Sequence, residues 1–305
     1  MTTTKKILAI IMSLVMVLGM FTFGASADDA AVTEGYYEEG EYSLHYTVVP
    51  AEGEAKGRIM FLHGFLYSGT TWNGMAEIMS AEGYDCYLLD LPNFGYSTRE
   101  TADTQVIARE TLVVNFMETI APTSEWILAG HSMGGGVSIN IACENELEAL
   151  MLFCPSEIGT QGNSMIASLA TNSVMGKFMD TIFKMVLSSD LIVKAAVYMT
   201  TGDMEYAKNY DASLLADPLM IPGTGSGMLL SSVNAKNTDM DALAAVSTPT
   251  LLVWAENDNV LSAANCENIT AALAGREIVT VEGSHIVIET APDTLAQISL
   301  EFLAK

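Results

Sequence analysis

Short apolar runs recur along the chain, each cut off by a glycine, a proline or a polar turn. Arg58–Leu62 ends at His63-Gly64, Tyr84–Leu91 at Pro92, Trp126–Ala129 at Gly130 and Ala149–Cys154 at Pro155. Helical spacing fills the intervals over Thr71–Ala81, Asp103–Ile120 and Ser132–Ala142. The alternation returns with Thr250–Trp254, a helix over Ala263–Ala274, Glu277–Val281 and a last helix over Thr290–Leu303. Parallel strands need a long crossover, usually a helix, so this order predicts an α/β fold with a mostly parallel sheet covered on both faces. Tyr42–Val48 alternates apolar and polar residues and reads as a further strand. Residues 28–41, acidic with Tyr36 and Tyr37, read as a solvated lead-in.

The alternation breaks between about residues 156 and 241. This stretch has helical periodicity, no clear strand, and Met at 165, 175, 179, 185, 199, 204, 220, 228 and 240. It reads as a helical cap inserted in a core made of 28–155 and 242–305. Unbranched thioether side chains fill irregular space, so the cap is either extra packing or a deformable wall for an acyl chain. Pro222-Gly-Thr-Gly-Ser-Gly227 has no strand before it and no Lys after it. It therefore reads as a loop or hinge rather than a phosphate cradle.

A formal charge of −24 leaves no cationic surplus to neutralise phosphates, which excludes nucleic acid as a partner. Half the residues are apolar and 16% charged, which opposes disorder. Lys5-Lys6, the apolar run Ile7–Phe23 and Ala25-Ser-Ala27 have the three parts of a secretory signal peptide over residues 1–27. An exported protein with no membrane span after cleavage is expected; an uncleaved N-terminal anchor is the alternative. Cys86, Cys143, Cys154 and Cys266 form no CxxC, and Cys86 and Cys154 lie in apolar runs, so free thiols and no metal site are expected.

Gly130-His-Ser132-Met-Gly134 lies between a predicted strand and a predicted helix, the context that makes a Gly-x-Ser-x-Gly motif meaningful. The glycines let strand and helix approach while the serine is projected from the end of the sheet. The helix N-terminus beneath it favours developing negative charge. One oxyanion donor is expected to be the Met133 backbone N–H, and the second that of Phe65, after an earlier strand. A base must follow the nucleophile in such a fold, and of His45, His63, His131 and His285 only His285 does. His63 is expected to brace the oxyanion loop, and His131 to point away from it. The acid belongs just beyond the strand Leu251–Trp254. Asp258 is the leading candidate there, with Glu256 and Asp241 as alternatives. Its task is to hold the imidazole tautomer and stabilise the imidazolium.

His63-Gly-Phe65, Asp90-Leu-Pro-Asn-Phe-Gly-Tyr-Ser97, Gly-His-Ser132-Met-Gly-Gly135, Asn257-Asp258 and Gly283-Ser-His285 occur in one order. In these motifs the chain resembles the α/β-hydrolase superfamily over residues 42–305, and around Ser132 it looks most like monoacylglycerol lipases and related carboxylesterases. The resemblance implies an eight-stranded sheet with a cap after the sixth strand, no cofactor, and hydrolysis of a small-molecule ester through an acyl-enzyme. Amide or carbon–carbon bond hydrolysis by the same triad remains open at this point, as does a binding module without turnover. Ser132 departs from the dehalogenase and epoxide-hydrolase branches, which use Asp there.

Overall fold

The computed structural model of the protein describes residues 31–157 and 173–305. The signal-peptide reading of residues 1–27 falls outside them. Eight strands form one sheet: β1 (Thr33–Glu39), β2 (Tyr42–Val49), β3 (Gly57–Leu62), β4 (Tyr84–Leu89), β5 (Trp126–His131), β6 (Ala149–Phe153), β7 (Thr250–Ala255) and β8 (Glu277–Val281). Their order is β1-β2-β4-β3-β5-β6-β7-β8. The β1–β2 and β2–β4 pairings are antiparallel and the rest parallel. Every residue of β5, β6 and β7 is buried, as expected of parallel strands covered on both sides.

The core helices are α1 (Asn73–Ala81), α2 (Arg109–Ile120) and α3 (Met133–Ala142). Between β6 and β7 come α4 (Ser173–Leu187), α5 (Asp190–Thr201), α6 (Met204–Asn209), α7 (Ser213–Leu219), α8 (Thr224–Val233) and α9 (Met240–Ala245). The chain closes with α10 (Ala263–Ala272), α11 (Val287–Thr290) and α12 (Pro292–Leu303). Helix α1 packs on α12, and α2 packs on α3. No helix among the described residues is long and apolar enough to cross a membrane.

Three expectations need correction. The acidic lead-in is β1, hairpinned onto β2 through Gly40, which takes φ +59°. Its Tyr37 ring packs on Phe116, 5.1 Å between centroids, so burial of one tyrosine face overrides the acidic composition. The Pro222–Gly227 run is not a hinge: Gly223, at φ +94°, caps α8, and Thr224–Gly227 form its first turn. The glycines serve close helix packing, since a Cβ on Gly225 would stand 2.5 Å from Met179 Cβ on α4. The helix expected from Asp103 starts only at Arg109, because 101–104 is held as a turn by the Thr101 and Thr104 hydroxyls.

Candidate active site

Ser132 sits where β5 turns into α3, with φ +50° and ψ −118°, a left-handed conformation costly for any residue with a Cβ. The surroundings hold it there. Its N–H donates to Phe153 O at 3.1 Å, and its carbonyl accepts from Gly136 and Ser156 N–H at 3.1 and 3.0 Å. The turn closes only because side chains are missing. A Cβ on Gly130 would collide with Ser138 and Gly134, and one on Gly134 with the Leu62 carbonyl.

His285 follows β8 and reaches Ser132 Oγ with Nε2 at 2.8 Å. Its Nδ1 lies 2.7 Å from Asp258 Oδ2. The other Asp258 oxygen accepts the Val260 and Leu261 backbone N–H groups, each at 2.9 Å. Burial alone would raise the Asp258 carboxyl; the His285 hydrogen bond and these two N–H donors outweigh it and hold the group below its ordinary range. A carboxylate facing Nδ1 fixes the proton on that nitrogen and leaves Nε2 free to accept from Ser132. Glu256, two residues earlier, and Asp241, on α9, are exposed.

Met133 is the first residue of α3, so its N–H has no intrahelical acceptor. Phe65 follows β3 and lines the same cavity as Ser132. Neither N–H donates to a backbone group of the described residues outside the regular elements. His63 carries the Phe65 loop: Nδ1–H donates to Gly64 O at 2.7 Å, and Nε2 accepts Leu91 N–H at 3.0 Å. Both ring nitrogens are occupied, and burial pushes its pKa down, so it holds the loop as a neutral ring. Buried Asp90 pins the neighbouring turns, accepting Gly69 and Tyr96 N–H at 2.7 and 2.8 Å. All four cysteines are free, and burial pushes the Cys154 thiol pKa up.

Ser132 and His285 open into a cavity of about 220 Å³. Gly64, Phe65, Leu66, Tyr67, Val260 and Ile286 line it from the core, and Ala196, Val197, Thr200 and Leu215 from α5 and α7. No methionine of the described cap is in this wall, contrary to the deformable-wall expectation; Met185 and Met199 are exposed instead. The lining residues of α5 and α7 could not be singled out in the sequence, because small apolar residues at helical spacing signal packing of any kind. A larger cleft of about 530 Å³, between Thr70–Gly74 and Asp203–Asp211, does not include Ser132.

A family model described as "Serine aminopeptidase, S33" matches residues 53–285. The chain belongs to that hydrolase family. The hydrolase is 22% identical over 288 residues to monoacylglycerol lipase abhd6-B of Xenopus laevis, across 88% of this chain and 81% of the relative. It is also 22% identical over 246 residues to monoacylglycerol lipase of Mycolicibacterium smegmatis, across 78% and 83%. Among solved structures, the enol-lactonase from Burkholderia xenovorans LB400 superposes with a TM-score of 0.70 at 16% identity, over 88% of this chain and all of that one. The hydrolase is thus an α/β-hydrolase of the esterase and lipase-like kind, with the eight-stranded, mostly parallel sheet of that fold.

Proposed function

We propose that the protein is an exported serine hydrolase that cleaves neutral carboxylic esters of short to medium acyl chains. The observation that carries this reading is the Ser132–His285–Asp258 line, 2.8 and 2.7 Å, opening into an apolar cavity. As Ser132 Oγ attacks the ester carbonyl, His285 Nε2 takes its proton, while the Met133 and Phe65 N–H groups receive the oxyanion. Collapse of the tetrahedral adduct breaks the bond to the alcohol, and His285 returns the proton to the leaving oxygen. Water then attacks the acyl-serine, giving a proton to His285, and Ser132 regains that proton as the acid departs. Asp258 keeps the imidazole oriented and stabilises its charged form throughout.

The cavity argues for the acyl group. An apolar void of about 150 Å³ holds one benzene, so 220 Å³ suits a chain of roughly eight carbons. Release of a peptide N-terminal residue, the activity in the family's description, fits this cavity less well. None of its lining residues is a carboxylate that could meet an α-ammonium group. The charge of −24 further disfavours anionic substrates. Export rests on residues 1–27, and N-terminal sequencing of the exported form should begin at Asp28.

The test is a series of acyl esters of one alcohol, with Ser132→Ala as control. A fluorophosphonate probe should label the wild type and not the variant, and turnover should fall about 10⁴–10⁶-fold in the variant. kcat/KM should climb with each methylene, by up to about fourfold, until the cavity is full. Equal rates on acetyl and octanoyl esters would remove the acyl-cavity reading. Turnover by Ser132→Ala near that of the wild type would remove the serine.

A further inference from the structure

The carbonyl of His285 has an unusual partner. In the turn that presents this base, the neighbouring carbonyls are taken by backbone donors: Ser284 O by Val287 N–H, Ile286 O by Glu289 N–H and Val287 O by Ala291 N–H. His285 O is left out of that ladder and accepts instead from His131 Nε2 at 2.8 Å, across 154 residues of sequence. A carbonyl has no proton, so the bond fixes the His131 proton on Nε2. Nδ1 is then an unprotonated nitrogen with no hydrogen-bond partner, packed where a Cβ on Gly64 would come within 2.8 Å.

We propose that His131 is a positioning residue that ties the backbone of the base to the residue preceding the nucleophile. The proposal rests on the Ser132–His285–Asp258 reading and deepens it. Ser132 and His131 are consecutive, so the hydrogen bond makes the nucleophile and the base share one rigid support. The bond is also constant. Burial first, and then the nearby His285, push the His131 pKa down to about 3, so the ring stays neutral and adds no charge beside His285, Asp258 or His63 at neutral pH. A phenyl ring of similar size would fill the space and leave the His285 carbonyl with no donor, at the edge of the catalytic cavity. An exposed or purely packing histidine would need neither the fixed tautomer nor the orphaned Nδ1. The ring that the sequence suggested would merely point away from the oxyanion site thus has a task of its own.

The test compares His131→Phe, His131→Asn and His131→Gln on one ester, below the unfolding temperature of each. Gln carries an amide N–H at the reach of Nε2, whereas Asn falls one bond short. Displacement of a catalytic group by about 1 Å costs about 10²-fold, so Phe and Asn should lose about 10²-fold in kcat with KM unchanged, and Gln should recover to within a few-fold of wild type. Wild-type kcat in both Phe and Asn, or equal loss in Gln and Asn, would overturn the proposal. If Phe fails to fold, the Asn and Gln pair decides it. Labelling of wild type and Ser132→Ala by the fluorophosphonate runs alongside. Failure to label the wild type would sink the serine reading, a different result from His131 variants that turn over normally.

Discussion

On the sheet side of the cavity, Ser132, His131 and His285 are each under one-tenth exposed, and main-chain and ring hydrogen bonds hold them. On the helical side, α4 and α5 leave Val174, Phe178, Met185, Leu191 and Met199 in solvent. Of the apolar residues of α5, only Val193 and Val197 are buried, in a small cluster of their own with Ala207, Tyr210, Ala212 and Ala216, separate from the main core. On the proposed reading, the difference follows from what each side must do. Bond-making tolerates little displacement, so its groups sit on a close-packed sheet end. Shape selection of an apolar chain needs only apolar area, which helices of many sequences can present.

The largest expected effect lies on the sheet side. Asp258→Asn should lower kcat by about 10⁴-fold, because an amide NH2 in place of Oδ2 would donate to Nδ1 and favour the wrong His285 tautomer, and Glu256→Gln should leave it unchanged. Steady-state kinetics of the two variants checks this, and the reverse ranking would move the acid to Glu256. The cap should behave differently. Leu215→Ala removes part of the cavity wall from α7 and should shift preference toward longer acyl chains by about tenfold in kcat/KM, while acetyl-ester kcat stays near wild type. A uniform fall in kcat for every chain length would dissolve the division between the two sides.

The smallest effect concerns their junction. Tyr206 on α6 donates to Glu289 Oε2 on α11 at 2.8 Å, a contact from cap to core four residues after His285. Burial raises the Glu289 pKa to about 7, against the lowering from Tyr206. A carboxyl raised in the folded state contributes stability in full below its unfolded pKa of about 4.3, and loses it as pH rises through about 7. Glu289→Gln, which stays neutral and still accepts from Tyr206, should therefore match wild type near pH 4. It should exceed it by on the order of 2 kcal/mol at pH 8. Urea unfolding at both pH values measures it, and a constant difference would show that Glu289 does not titrate in this range.

Much of the core was legible because its signals are local. A run of buried parallel strand is apolar throughout, and Gly130 and Gly134 flank Ser132 for a steric reason that the motif itself displays. The elimination among four histidines was possible because chain order alone separates His285 from the others. The edge strand β1 was hidden, since Glu34 and Glu38 face solvent and its packing on Phe116 comes through Tyr37. The first turn of α8 was hidden too. Glycine runs look like loops until a neighbouring helix requires close approach, as α4 does at Gly225.

By itself, then, the chain of residues determined the βα order, the sheet class and a short set of candidate side chains for serine chemistry. Periodicity and glycine sterics act within a few positions, and the scarcity of histidine is read from chain order alone. The tertiary structure alone decided that Asp258 rather than Glu256 or Asp241 meets His285, and that His131 grips the His285 carbonyl. It also decided that Ala196, Val197, Thr200 and Leu215, not the methionines of the described cap, close the cavity. Those contacts join segments more than 20 residues apart, and no local pattern records a distance that only the folded sheet and its helices bring to a few ångströms.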